Sequence, residues 1–325
     1  MQFYLAPMEE VTGYVYRNVY HALFDDVDKY FTPFITPTQK KKLKTRDQKE
    51  VSPENNLGIH VVPQILTNNA EQFVDTCNML MGLGYDEVNL NLGCPSATVV
   101  KKAKGSGFLN DIKRLDQFFE EAFQKLDQEQ SPLKISVKTR IGLEFAEEFE
   151  DILKIYNRYP FSEVIIHPRL QKDFYNHTPD LDTFSDALDR SIHSVCYNGD
   201  IFTKKQYEAF IQRFPTVERV MFGRGIVMNP GLVREIRTGE KISREELKRY
   251  HDMLYAAYRE ALGSDKDTLF KMKEVWSYLG NRFSDADRYL KKIRKAGRSE
   301  EYLSAVEGVF ECCRIDMQGN QEEIS

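Results

Sequence analysis

Apolar residues in this chain fall into two alternating rhythms. Short runs with a two-residue period, typical of strands with one buried face, lie at about 3–6, 29–35, 61–66, 86–92, 134–140, 163–167, 193–198 and 218–222. Between them lie longer segments with the three-to-four-residue spacing of amphipathic helices, at 13–25, 69–83, 110–127, 145–158, 180–189, 203–213 and 229–237. In segment 69–83, Ala70, Phe73, Val74, Cys77, Leu80 and Met81 share one face, and Asn68 or Asn69 is placed to cap it. Segment 110–127 repeats the pattern with Ile112, Leu115, Phe118, Phe119, Ala122 and Leu126. Eight strands separated by helices over about 235 residues match a (β/α)8 TIM barrel.

Two stretches break the rhythm. Residues 36–57 carry Lys40, Lys41, Lys42, Lys44 and Arg46 before a Pro/Asn-rich turn, which predicts a loop with little helix. Beyond Gly239 no strand pattern remains, and amphipathic segments at about 243–262, 266–282, 285–296 and 299–313 predict a small C-terminal helical domain. The expected organisation is a catalytic barrel over 1–238 and a helical domain over 239–325.

Composition narrows the classes. The 325 residues suffice for a large core, and a net charge of −5 provides no global attraction for a polyanion, so RNA binding would need a local patch. Five cysteines without a repeated metal spacing suggest a reducing compartment, no disulfide framework and no metal. The N-terminus lacks a signal-peptide pattern and no apolar run nears the roughly 20 residues of a membrane span. A cytoplasmic, membrane-free monomer is expected.

In a (β/α)8 barrel the chemistry lies at the carboxyl ends of the strands. Here those ends carry Pro7, Met8 and Glu9; Gln64; Asn91 and Cys94; Lys138 and Arg140; His167 and Arg169; Asn198, Gly199 and Asp200; and Gly223, Arg224 and Gly225. Cys94, held between Gly93 and Pro95 at the mouth of a strand, suits a proton donor or nucleophile with Asn91 beside it. A core cysteine is the usual alternative, and the bracketing Gly and Pro favour function. The glycine turns at 198–200 and 223–225, with Arg224, suit a phosphate cradle, although Asn-Gly-Asp alone is a common turn. Lys138 on an apolar strand needs a negative partner. A reduced flavin would serve, and so would Glu87 or another acid. His167 suits either flavin contact or a satisfied core histidine.

Together these residues resemble the tRNA-dihydrouridine synthases. The motifs Ala6-Pro7-Met8, Gln64, Asn89-Leu90-Asn91-Leu92-Gly93-Cys94-Pro95, Val137-Lys138-Thr139-Arg140, His167-Pro168-Arg169, Asn198-Gly199-Asp200 and Gly223-Arg224-Gly225 stand in that family's order. The resemblance covers the whole chain, and Asn-x-x-Cys-Pro is its most specific element. It implies Cys94 as general acid and FMN held by Pro7, Met8, Glu9, Gln64, Lys138, His167, Asn198, Gly199, Asp200, Gly223 and Arg224. It further implies a target uracil held by Asn91 and Arg140, with Arg169 also on the substrate, NADPH as reductant and tRNA as partner. The chain departs from the family at His167-Pro168-Arg169-Leu170, where His-Gly-Arg-Thr is usual, and in the basic run Lys101-Lys102-Ala103-Lys104-Gly105-Ser106-Gly107, which fits a loop closing on RNA.

Two basic patches are candidates for tRNA: the Lys40–Arg46 loop, and the stretch from Arg282 to Arg298 with Arg282, Arg288, Lys291, Lys292, Arg294, Lys295 and Arg298. Solvated faces are the commoner fate of such runs. Two rival functions remain. A flavin barrel acting on a small molecule, such as a dihydroorotate dehydrogenase or ene-reductase, leaves the basic helical domain without a role. A non-catalytic RNA-binding protein leaves Cys94 and Lys138 without one.

Overall fold

The computed structural model describes residues 1–39 and 42–315. The strands β1 (Gln2–Leu5), β2 (Lys29–Phe31), β3 (Val61–Val62), β4 (Gln64–Ile65), β5 (Glu87–Leu92), β6 (Lys134–Arg140), β7 (Glu163–His167), β8 (Val195–Asn198) and β9 (Arg219–Phe222) form one parallel sheet in the order β3-β2-β1-β9-β8-β7-β6-β5-β4. The two ends of that order are halves of a single segment. Pro63, which has no N–H to give a ladder, splits 61–66 into β3 and β4, and its carbonyl accepts from the Asn89 N–H at 2.9 Å. The sheet therefore closes on itself as an eight-position barrel, as the strand rhythm predicts. Tyr4, Ala6, Phe31, Val62, Ile165, Cys196 and Met221 form a buried cluster in its interior.

The helices are α1 (Tyr14–Phe24), α2 (Thr45–Val51), α3 (Ala70–Gly82), α4 (Ala97–Val100), α5 (Ile112–Gln128), α6 (Glu148–Tyr156), α7 (Leu181–Arg190), α8 (Lys204–Arg213), α9 (Arg224–Met228), α10 (Leu232–Thr238), α11 (Arg244–Leu262), α12 (Asp265–Leu279), α13 (Asp287–Lys295) and α14 (Ser299–Cys312). Asn69 caps α3, its Oδ1 accepting from the Gln72 N–H at 2.8 Å, and Cys77 is buried in the core stripe. The stretch 36–57 differs from expectation. It contains α2 and a 3-10 turn at Pro53–Asn56, and with only Asp47 and Val51 of α2 buried no apolar stripe announces the helix. Lys40 and Lys41 lie outside the described residues. Past Gly239 the helices appear as expected, together with a two-residue antiparallel ladder of β10 (Phe283–Ser284) and β11 (Arg314–Ile315).

The chain forms two compact units. Unit one comprises Met1–Pro7, Lys29–Gly199 and Phe214–Met221. A buried ionic cluster links its strands: Lys29 pairs with Glu87 at 2.8 Å, Arg219 with Glu163 at 3.2 Å, and the Tyr4 hydroxyl donates to Glu163 at 3.0 Å. Burial, reinforced by Glu87 and opposed by Lys29, raises the Glu163 carboxyl to about 7.

Unit two comprises Met8–Asp28, Asp200–Arg213 and Phe222–Ser325, so the sequence boundary at Gly239 falls inside it. In this unit Tyr16 and Phe24 of α1 meet Tyr250 of α11 edge-on, with ring centroids 6.2 and 5.7 Å apart. The Tyr258 hydroxyl donates to the Val11 carbonyl at 3.2 Å. A satisfied polar centre lies among the aromatics: the Tyr302 hydroxyl accepts from Trp276 Nε1 at 2.8 Å and meets His251 Nε2 at 2.7 Å. No disulfide joins any of the five cysteines. Among the described residues no helix is long and apolar enough to cross a membrane.

Candidate active site

β5 is buried along its whole length, which is costly for Asn89 and Asn91 unless every amide is paired. The pairing runs in one direction through unit one. The backbone N–H groups of Gly93 and Cys94 donate to Asn91 Oδ1 at 3.1 and 2.9 Å. Asn91 Nδ2 donates to Gln64 Oε1 at 2.7 Å, and Gln64 Nε2 to Asn89 Oδ1 at 2.8 Å. Asn89 Nδ2 then donates to Ser136 Oγ at 3.0 Å, and the Ser136 hydroxyl to Glu87 at 2.9 Å. Backbone donors fix one end of this relay and a carboxylate, which only accepts, fixes the other. Its polarity is therefore set.

The relay holds the turn that carries Cys94, which is half-buried. From the other side the Cys94 carbonyl accepts from the Ser106 N–H at 3.1 Å and the Ser106 hydroxyl at 2.9 Å. Gly105 packs against the same residue with φ +55°, and a Cβ there would stand 2.7 Å from the Cys94 carbonyl oxygen. Cys94 is thus the thiol in unit one that is both held and reachable. Cys77 and Cys196 are fully buried, and burial lifts the Cys196 thiol far above its ordinary value.

Asn91 of β5 lies opposite Lys138 of β6, and Arg140 of β6 opposite His167 of β7. Glu87, one of the acids that could neutralise Lys138, is bound to Lys29 instead, and among the described residues no carboxylate pairs with Lys138. Burial, with Arg140 adding repulsion, lowers its ammonium to about 8. Half-buried positive charge with no carboxylate partner among the described residues is what a bound anionic group would satisfy.

The two arginines serve the loops. Arg140, 1% exposed, donates Nε to the Gly93 carbonyl at 3.1 Å and its terminal nitrogens to the Leu170 and Phe174 carbonyls, each at 2.6 Å. It therefore staples the Cys94 turn to the loop after β7, with two of its five donors outside these bonds. Arg169 donates Nε to the His177 carbonyl at 2.6 Å and NH1 to His167 Nε2 at 3.1 Å. A guanidinium only donates, so His167 accepts at Nε2 and carries its proton on Nδ1.

Asn198 and Gly199 end β8 in unit one, where Asn198 Nδ2 donates to the Met221 carbonyl at 2.9 Å. In unit two, Asp200 and Arg224 form an ion pair at 2.7 Å, Gly223 caps α9, and the Met8 N–H donates to Thr12 Oγ1 at 2.7 Å. Glu9 is exposed. In unit one, then, the sequence-based candidates Gln64, Asn91, Cys94, Lys138, Arg140, His167 and Arg169 belong to one connected constellation. Sequence reasoning missed Ser106, the relay role of Asn89 and Ser136, and Tyr175. Tyr175 is 45% exposed beside Arg140 and His167, at 5.6 and 6.0 Å. Asn89 had the same period-2 signal as Asn91; Tyr175 has none, because the φ +48° turn at Phe174 brings it there.

The sequence profile of the family described as "Dihydrouridine synthase (Dus)" matches residues 4–315. A "Probable tRNA-dihydrouridine synthase" of Staphylococcus aureus (strain Mu50 / ATCC 700699) is 30% identical over 331 residues, covering 95% of this chain and 90% of that protein. A "tRNA-dihydrouridine(16) synthase" of Aquipseudomonas alcaligenes is 25% identical over 250 residues, covering 74% of this chain and 78% of that protein. Among solved structures, "Morphinone reductase" superposes with a TM-score of 0.51 at 11% identity, over 74% of this chain and 87% of that one. "Crystal structure of TcOYE with pHBA" gives 0.55 at 9% identity, over 80% and 94%. At that identity the likeness is one of fold alone, and it supports the barrel. The chain belongs to the dihydrouridine synthase family.

Proposed function

We propose that this member of the dihydrouridine synthase family reduces the C5–C6 double bond of uridines in tRNA, with FMN as cofactor and NADPH as reductant. The observation that carries the reading is the pairing across β5 and β6. A reachable thiol is fixed by a buried relay, and beside it stands a half-buried lysine that lacks a carboxylate partner among the described residues. When bound, the flavin supplies the hydride that adds at C6. The chain's part is to hold, orient and protonate.

Cys94 gives the proton to C5. As an acid it must be a thiol at working pH. Asn91 fixes its turn, and the second Nδ2 hydrogen of Asn91 is available for a uracil carbonyl. Arg140 holds the Cys94 turn to the loop after β7 and has donors left for the substrate. Lys138 would meet the negative charge of the bound cofactor, and His167 carries its proton on Nδ1. Arg169 fixes the tautomer of His167, so the expected substrate contact is replaced in this reading by a positioning role. Pro7, Met8, Glu9, Gln64, Asn198, Gly199, Asp200, Gly223 and Arg224 keep the FMN assignments that the family resemblance gives them. The base must leave its stack to react.

The barrel over 1–238 is assigned the chemistry and the helical region 239–325 the tRNA affinity. On α13, Arg288, Lys291, Lys292, Arg294 and Lys295 are exposed, as is Arg298 just beyond it, while Ile293 faces the interior. Arg282, counted in this patch from sequence, is only 2% exposed and does not belong to it. The test is to denature the purified protein, identify the released flavin, and incubate the native protein with NADPH and unmodified tRNA transcripts. FMN and dihydrouridine are expected. Turnover of small enones without any dihydrouridine in tRNA would overturn the assignment.

A further inference from the structure

A basic run next to the catalytic turn is not used by the mechanism above. Lys101 and Lys102 are exposed, Lys104 is half-buried, and among the described residues none of the three forms an ion pair. Their turn is rigidly built. Asn68 Nδ2 donates to the carbonyls of Lys102 and Ala103 at 3.0 and 2.9 Å, and Ala103 itself sits at φ +47°. Gly105 then runs directly against Cys94, and Gly107 against Val100, where a Cβ would meet backbone atoms at 2.8 Å.

The connection after β2 reaches the same place. Ile35 bridges Ile65, its N–H donating to the Gln64 carbonyl at 2.7 Å and its carbonyl accepting from the Leu66 N–H at 2.8 Å. Two residues beyond Leu66 is Asn68, the anchor of the lysine turn. Lys42 and Lys44 follow from that connection and are exposed, without ion pairs among the described residues. Asp47, the acid nearest in sequence to Lys44, is buried, and its carboxyl is raised by that burial although Lys44 and Arg46 act against the rise.

We propose that Lys44, Lys102 and Lys104 form a phosphate-binding site for the RNA backbone beside the reacting base, and that a phosphate gripped there seats Cys94 through Gly105 and Ser106. The site deepens, and rests on, the reading of the chain as a tRNA-modifying enzyme. Burial lowers the Lys104 ammonium, and Lys102 and then Lys44 push it further in the same direction. These like charges are relieved by an anion. Lys102 and Lys104 are one to three residues from the glycine touching Cys94, so a force on them reaches the thiol through almost incompressible packing. They are positioning residues, whereas α13 is assigned affinity alone.

The test uses full-length, flavin-loaded protein as wild type, Lys102→Met/Lys104→Met, Lys102→Arg/Lys104→Arg and Lys44→Met. Two readouts are needed: the salt dependence of tRNA affinity, and the rate at which saturating tRNA reoxidises the pre-reduced flavin without oxygen. Each neutralised phosphate contributes roughly 0.7–0.9 to the log–log salt slope. Between 50 and 200 mM salt, wild-type affinity should therefore fall about 3-fold more than that of the double Met variant, the share of the one phosphate held there. The single-turnover rate of that variant should drop even at saturating tRNA, and the double Arg variant should restore both. Lys44→Met should flatten the slope by no more than the share of that same phosphate. If wild type forms dihydrouridine while the Met variants match its slope and rate, this site is overturned and the proposed function stands. If only the slope changes, the seating of Cys94 is overturned. If wild type itself leaves tRNA unmodified, both fall.

Discussion

Asn91 is the residue on which the catalytic turn depends most, and its removal has a calculable cost. Asn91→Ala deletes three hydrogen bonds, from the Gly93 and Cys94 N–H groups and to Gln64. Gln64 is fully buried, so its Oε1 loses its partner away from water, at about 1–3 kcal/mol. The two N–H groups lie in a half-buried turn and reach water, so each adds only about 0.5–1 kcal/mol. The sum is roughly 2–5 kcal/mol, confined to unit one. The single tryptophan, Trp276, lies in unit two, so a probe within unit one is needed. Hydrogen exchange of peptides covering 87–96, with urea unfolding followed by far-ultraviolet circular dichroism, is the suitable assay. Alkylation of Cys94 without tRNA should also change rate, as the thiol loses its fixed orientation. Asn91→Asp retains acceptors for the two N–H groups but needs the relay reversed. With Gln64 and Asn89 flipped, Asn89 Oδ1 and Glu87 would compete for the single Ser136 proton, so the variant should be destabilised as well. A purely substrate-holding Asn91 predicts a raised KM with unchanged exchange and alkylation. Stability within about 0.5 kcal/mol of wild type, the range of an ordinary surface change, would refute the relay.

Gly105→Ala forces φ +55° on a side-chain-bearing residue and drives Cβ into the Cys94 carbonyl; turnover should fall on the order of 10²-fold with flavin retained, as measured by dihydrouridine formation per flavin. Lys138 titrates near 8 when folded and near its ordinary lysine value when unfolded, so the unfolded chain binds more protons between those values and stability rises with pH across that window. Flavin-free Lys138→Met should lack this rise, worth about 3 kcal/mol, and should bind flavin more weakly; equal pH profiles for the two proteins would contradict the lowered value. Reversing Lys291, Lys292, Arg294 and Lys295 to Glu should weaken tRNA binding and flatten its salt slope by up to about 0.7–0.9 for every phosphate no longer neutralised; an unchanged slope would return α13 to a solvated face.

The barrel was legible because its strands are short apolar runs at regular spacing, and even the Pro63 break leaves register intact on both sides. Helix α2 was not, since a seven-residue helix with two buried positions leaves no periodic stripe. The same limit applies at the site. Cys94, Asn91 and Lys138 could be picked out because strand period and turn residues place them at the mouth. That Glu87 pairs with Lys29 rather than Lys138 depends on which strands meet across the barrel. The stapling by Arg140 depends on carbonyls at 170 and 174, contributed by a loop whose path is set by tertiary contacts. Arg282 shows the converse, a charge in a basic run that packing takes inside.

The central claim is that Cys94 donates the proton in a flavin-dependent reduction of uridine in tRNA. The most direct measurement reduces the bound flavin with NADPH, removes oxygen and excess reductant, and mixes the protein with unmodified tRNA in single turnover. Wild type should reoxidise with one dihydrouridine formed per flavin, and Cys94→Ala, reduced to the same extent, should be slower by about 10²–10⁴-fold. Reoxidation of Cys94→Ala at the wild-type rate, or of wild type without dihydrouridine, would contradict the account.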